Sequence, residues 1–237
     1  MTRRRWIADE VSGNRAALVG DHARHLAQVL RAQVGQEFEI SALGEVHRGR
    51  VVSVQPERVE FELGEAVQQQ SLIDLGVAIS IFKFDRMEWA IEKCTELGVA
   101  RIVPMIAART ETHLASASAK RVERWRRIAH QASEQARRIS TPEVENPRKL
   151  KQVLSMTADQ RIVLSEIENE AMLKDVVSPQ AHSLLLAFGP EGGWKEEELA
   201  SFERAGWQSA SLGRTILRAE TAVIAAVAIA TSMMLGS

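Results

Sequence analysis

Leu212–Ala222, L-G-R-T-I-L-R-A-E-T-A, follows soon after Phe188–Trp194, F-G-P-E-G-G-W, and the reading of this pair decides the fold. Each is a glycine-bearing loop behind a short apolar run, Leu184–Ala187 for one and Ala210–Leu212 for the other, and each leads into a helical pattern. In open α/β sheets, ligands sit at the carboxyl ends of strands, where such loops lie. Glycine lets backbone approach a ligand closely and adopt angles that other residues avoid. Neither loop is a phosphate cradle. The first lacks the Lys-Ser/Thr that follows the glycines of a nucleotide-triphosphate loop, and G-P-E-G-G is not the G-x-G-x-x-G of dinucleotide binding. Glu191 inside the loop would repel a polyphosphate, so a small ligand without phosphates, one that can be cationic, fits better.

The surrounding chain agrees. From Leu72 onward strands and helices alternate: Leu72–Phe82, a helix over Arg86–Leu97, Arg101–Ile106, a helix over Ser118–Arg138, Arg161–Glu166, Leu184–Pro190, a helix over Lys195–Ala205, Ala210–Gly213 and a final helix. This alternation predicts an α/β domain with a mostly parallel sheet. Before it, residues 1 to about 68 show period-two runs (Glu37–Leu43, Arg48–Gln55, Arg58–Gly64) broken by turn signals and by one helix, His22–Arg31. That pattern predicts a small β-barrel or sandwich. The polar stretch Gly64–Ser71 is the candidate linker, which gives domains at 1–70 and 71–237.

A chain of 237 residues that is 45% hydrophobic can hold one large domain or two smaller ones. Its formal charge of -1 hides an uneven distribution: Arg101–Lys151 is basic, whereas Glu166–Glu203 runs acidic. A basic face is what phosphate neutralisation needs, although Arg121–Arg127, R-V-E-R-W-R-R, also fits a solvated helix face. The single cysteine, Cys94, rules out an intrachain disulfide and fits a reducing cytoplasm. Its helical spacing with Met87, Ile91 and Leu97 predicts buried packing. The opening M-T-R-R-R-W has no apolar stretch behind it, so no signal peptide is expected. The uncharged run Thr221–Leu235 falls short of the about 20 residues that a bilayer span needs and predicts a buried helix, with no membrane partner.

The two glycine loops resemble the C-terminal signature of the ribosomal RNA uridine N3-methyltransferases of the RsmE type, within the knotted SPOUT class of S-adenosylmethionine-dependent enzymes. Phe84–Pro104 is similar to that family's opening strand-helix-strand, and Ala132–Pro142, A-S-E-Q-A-R-R-I-S-T-P, to its internal stretch. His25–Arg31 with Gly35 is similar to its small RNA-binding domain. The resemblance implies a knotted α/β domain behind a PUA-like β-barrel. It also implies S-adenosylmethionine as cofactor, N3 of a uridine in 16S rRNA of the small ribosomal subunit as target, and a homodimer that buries the C-terminal helix beside the cofactor site. Carried onto this chain, the cofactor residues are Leu186, Gly189, Pro190, Glu191, Gly192, Gly193, Leu212, Gly213, Ile216, Leu217 and Arg218. The family commonly has Pro-Arg where this chain has Arg214-Thr215, so that arginine's role does not carry over.

Methylation at N3 of uracil requires loss of the ring proton, because the neutral imide nitrogen has no free lone pair. Negative charge then spreads onto O2 and O4, and a positioned cation stabilises it as it develops. Arg218 is the candidate for that catalytic role; a salt bridge to Glu220 is its plain alternative. No residue stands out as general base. Glu134, Gln135 and Arg138 are candidate RNA contacts, with an i,i+4 ion pair as the competing reading. So are Arg3, Arg4, Arg5, Arg24 and Arg31, with Trp6 placed to stack on a base. His22 and His25 lack further ligands nearby in sequence, so no metal is expected. Competing functions are methylation of another RNA atom, such as a ribose 2′-hydroxyl, and an RNA-binding assembly factor without turnover.

Overall fold

The computed structural model describes residues 5–69 and 74–235. The chain forms two compact units: residues 1–71 with 133–141, and residues 72–132 with 142–237. Arg3 and Arg4, and the expected boundary at residues 70/71, lie outside the described residues.

The first unit carries β1 (Arg5–Ile7), β2 (Glu10–Ser12), β3 (Arg15–Val19), α1 (Gly20–Arg24), β4 (Glu37–Ala42), β5 (Glu45–Gln55) and β6 (Arg58–Gln69). Its six strands run in the order β1-β4-β5-β6-β3-β2, with β1 and β4 parallel and every other pair antiparallel. Inward residues of alternating strands, among them Leu18, Ile40, Val51, Val59 and Phe61, build its core with Leu26 from the helical segment. Two expectations change here. The helix expected over His22–Arg31 is α1 continued by one π-helical turn, His25–Val29. The linker expected from Gly64 is strand: β6 pairs with β5 as far as Glu45↔Gln69, with bulges that break its period-two texture.

The second unit begins with β7 (Asp74–Ser80), α2 (Phe84–Glu96), β8 (Arg101–Ile106), α3 (Thr112–Ser118) and α4 (Val122–Gln135). There follow β9 (Glu143–Val144), β10 (Arg148–Lys149), α5 (Leu150–Leu154), β11 (Gln160–Leu164) and α6 (Leu173–Val176). It ends with β12 (Ser183–Phe188), α7 (Glu196–Arg204), β13 (Gln208–Ala210) and α8 (Ala219–Leu235). Its seven-stranded sheet is parallel at every pairing, in the order β10-β8-β7-β12-β11-β13, with β9 beside β8. Leu75, Val77, Ile79, Ile162, Leu184 and Leu186 pack on one face with α2, α4 and α8. Ala78, Val103, Val163, Leu185 and Ala187 pack on the other with α5 and α7. Helices on both faces bury both sides of the strands, which explains their near-continuous apolar runs. The α/β class with a mostly parallel sheet is therefore as the sequence predicts.

Cys94 is fully buried in the larger core, and desolvation pushes its thiol up to about 12. It packs rather than reacts. In α8, Glu220, Val223, Ala226, Val227 and Ala230 face inward, and among the described residues no helix is long and apolar enough to cross a membrane.

Candidate functional site

Strand β11 lies between β12 and β13, and the three run parallel, so their carboxyl ends at Leu164, Phe188 and Ala210 come out side by side. The chain that follows each strand forms a wall of one cavity of about 410 Å³. Leu164–Glu166 supplies the floor behind β11, Gly189–Glu191 with Gly193 and Trp194 one side, and Ser211–Ala219 the other, closed by Arg86 and Ala222. Glycine loops separated in sequence therefore meet because a third strand end sits between them.

The first wall is tethered at several points. Trp194 donates its indole N–H to the Leu164 carbonyl at 2.8 Å, and Arg109 donates to the Gly192 carbonyl at 2.6 Å. Gly193 N–H closes a turn onto the Pro190 carbonyl at 2.8 Å. Gly193 needs to be glycine: its φ is +71°, and a Cβ there would collide with the Glu166 carboxylate. Arg86 reaches Glu191 at 3.3 Å. The second wall is open. Gly213–Ile216 is exposed, with Ile216 at 85%, and chain order resumes where Ala222 N–H donates to the Arg218 carbonyl at 2.8 Å. Arg218 is exposed and lines the cavity, and its side chain has no hydrogen bond or ion pair among the described residues. Its alternative partner, Glu220, is instead 3.7 Å from Arg86.

Of the cofactor residues expected from sequence, Gly189, Pro190, Glu191, Gly193, Leu212, Gly213, Ile216, Leu217 and Arg218 line the cavity. Leu186 does not: its side chain points into the sheet's core, fully buried. Gly192 is displaced from the lining, its carbonyl bound by Arg109. Sequence reading missed Ser165, Glu166, Trp194 and Arg86. Glu166 was within reach, because it ends a predicted strand just as the glycine loops do; Arg86 gave no signal beyond its place in F-D-R-M.

The expected RNA contacts fare differently. Arg5 is buried, hydrogen-bonded to the Arg137 carbonyl at 2.6 Å and to Glu39 at 3.3 Å, so it is a structural residue of the first unit rather than a phosphate contact. Trp6, only 1% exposed, packs in the core with its ring beside His22 and His25 and has no face for a base. Glu134 and Arg138 are also buried. Helix α4 ends at Gln135, and Arg137 takes a left-handed φ of +54° that turns Arg138 off the helix. Arg138 then donates to the Ser140 carbonyl at 3.1 Å, and burial lowers its pKa to about 10. Glu134 lies 3.9 Å from His22. Arg24 is partly exposed but paired with Asp21 and, at 2.7 Å, with Glu57. Arg31 and Gln135 are exposed. In the basic segment Arg124 is held by Glu88 at 2.6 Å and Arg126 by Glu123 at 2.6 Å, so part of its charge is already neutralised.

The residues fit S-adenosylmethionine by their chemistry. Phe188, Leu212 and Leu217 offer apolar contact for an adenosine, the Ser211–Leu217 backbone lies along the cavity, and Glu166 places a carboxylate where a sulfonium cation would be drawn, while Glu191 is paired with Arg86.

Comparison with known proteins agrees. The RNA methyltransferase domain family matches residues 68–231. The ribosomal RNA small subunit methyltransferase E of Bacillus subtilis is 30% identical over 89% of this chain and 87% of its own. That of a Synechocystis strain is 33% identical over 86% of this chain and 68% of its own. The crystal structure of a ribosomal RNA small subunit methyltransferase E from Neisseria gonorrhoeae bound to S-adenosyl methionine superposes with a TM-score of 0.82 at 30% identity, covering 95% of each chain. Matched by this family model and by these relatives over most of its length, the chain belongs to the RNA methyltransferases of the small subunit methyltransferase E type.

Proposed function

We propose that this chain transfers a methyl group from S-adenosylmethionine to N3 of a uridine in 16S rRNA of the small ribosomal subunit. The observation that carries this reading is the cavity at the ends of β11, β12 and β13, lined by both glycine loops, in a chain whose relative binds that cofactor. The cofactor supplies an electrophilic methyl on a sulfonium sulfur. Glu166 favours the cation, the apolar residues offer contact to the adenosine, and the tethered first wall fixes the approach to N3. As the N3 proton departs to solvent, Arg218 stabilises the charge gathering on O2 and O4.

The same reading makes residues 1–70 a PUA-like barrel that holds RNA and residues 71–237, apart from the segment 133–141 that belongs to the first unit, a knotted SPOUT domain; insertion of β11 between β12 and β13 supports the latter. It makes the enzyme a cytoplasmic homodimer. The outer face of α8, with Ile224, Ala225, Ala228 and Leu235 and no charge, supports a subunit contact. Mass spectrometry of nucleosides from 16S rRNA decides the function. A deletion strain should lack one N3-methyluridine, restored by incubating its small subunits with the protein and cofactor. A missing ribose methyl instead would convict the 2′-hydroxyl reading, and an unchanged spectrum would reduce the protein to a binding factor.

A further inference from the structure

Arg86 lies in the first turn of α2, outside both glycine loops, yet it joins the two elements that carry them. One guanidinium nitrogen is 3.3 Å from Glu191, in the loop behind β12, and 3.7 Å from Glu220, in the first turn of α8. The two carboxylates differ. The Glu191 side chain is 33% exposed and can be solvated, whereas that of Glu220 is 7% exposed, and its Oε2 is buried with no hydrogen-bond partner among the described residues. The amino terminus of α8 favours a negative charge there, and Arg86 is the cation beside it. A buried carboxylate with one ionic partner costs desolvation that an apolar residue would not.

We infer that Arg86 is a positioning residue for the cofactor site. It acts through Glu220 to hold the start of α8, and with it the open Ser211–Arg218 wall, against the tethered wall at Glu191. This rests on the cofactor reading given above. Without Arg86, Glu220 becomes an unpaired buried charge and the first turn of α8 must shift to hydrate it. The cavity then loses the registry of its two walls, although the groups lining the reacting end remain.

The test is calorimetric titration of the full-length protein with S-adenosylmethionine, beside thermal unfolding and steady-state methylation of small subunits. Arg86→Ala should weaken cofactor binding about tenfold, within the range of coupling between residues that share one network. KM for the cofactor should rise likewise, while turnover at saturation changes by less than about threefold, the signature of lost binding rather than lost transition-state stabilisation. Adding Glu220→Gln should restore most of the affinity, because it removes the stranded charge; adding Glu191→Gln should not. Arg86→Lys should be intermediate, since an ammonium cannot reproduce the guanidinium fork, and it gives the answer if the alanine variant does not fold. A folded Arg86→Ala protein with parental affinity and a lowered melting temperature would overturn the inference, leaving a purely structural ion pair. Failure of Glu220→Gln to restore binding would overturn it too. If the parent protein does not bind the cofactor, it is the proposed function that falls.

Discussion

The two walls of the cavity are built on opposite principles. Gly189–Trp194 is fastened through the Trp194 indole, the Arg109 guanidinium and its own internal turn. Gly213–Ile216 is exposed and joined to the rest mainly at its ends. A site with one tethered and one exposed wall lets a ligand enter from the exposed side without disturbing the tethered one. It also divides the work. Substitutions in the fixed wall should damage binding, while the open wall carries Arg218, for which we propose a role during reaction.

The largest expected effect is in the open wall. Arg218→Ala should lower single-turnover methylation of small subunits by roughly a hundredfold, the scale of losing one preorganised charge-stabilising group, with a far smaller change in cofactor affinity. Lysine should recover only part of the rate. Higher pH should partly rescue the alanine variant, because more uracil is then deprotonated unaided. Parental turnover, or a defect confined to cofactor binding, would erase the division between the walls. Next comes Gly193→Val in the fixed wall. A β-branched residue at a φ of +71° is strained, and its Cβ displaces the Glu166 carboxylate. Cofactor affinity by calorimetry should fall by about tenfold or more, the scale of one forced left-handed residue; parental affinity would mean that this wall need not be fixed. The mildest change is Trp194→Phe, which keeps an aromatic ring against Phe202, now 5.0 Å away, but loses the bond to the Leu164 carbonyl. An affinity loss of about threefold, the worth of one hydrogen bond, should accompany faster amide exchange over 189–194 with none over 213–216. Equal acceleration in both segments would show that the walls are not independent.

Most of the second unit was legible because its signals are local: apolar runs of strand length, glycines at their ends, and helical spacing such as Met87, Ile91 and Cys94. Strand order is not a local property. R-I-V-L-S-E marks Glu166 as the end of a strand, but nothing in it announces that β11 inserts between β12 and β13 and so brings Ser165 and Glu166 beside the glycine loops. In the first unit the arginines around Trp6 suggested an exposed surface, but alternation along β1 turns the indole inward. The spacing predicts a helix as far as Arg138, whereas α4 ends at Gln135, because the break falls at Arg137, a residue type that seldom takes positive φ, with no glycine or proline to mark it. The polar Gly64–Gln69 concealed a strand whose partner, β5, supplies the order.

The inclusion of residues 133–141 in the first unit bears on how the protein is made. The Arg5 side chain binds the Arg137 carbonyl, and Ser41 the Arg138 carbonyl. The first unit therefore lacks a piece of itself when residue 71 leaves the ribosome, and gains it only after residue 141 has been synthesised. At typical elongation rates that interval is on the order of ten seconds. The amino-terminal unit is thus first to begin and still first to be complete, since the second unit runs on to residue 237, but it waits for residues 133–141 to add the contacts of Arg5 and Ser41 to an apolar core that lies between Trp6 and Leu63.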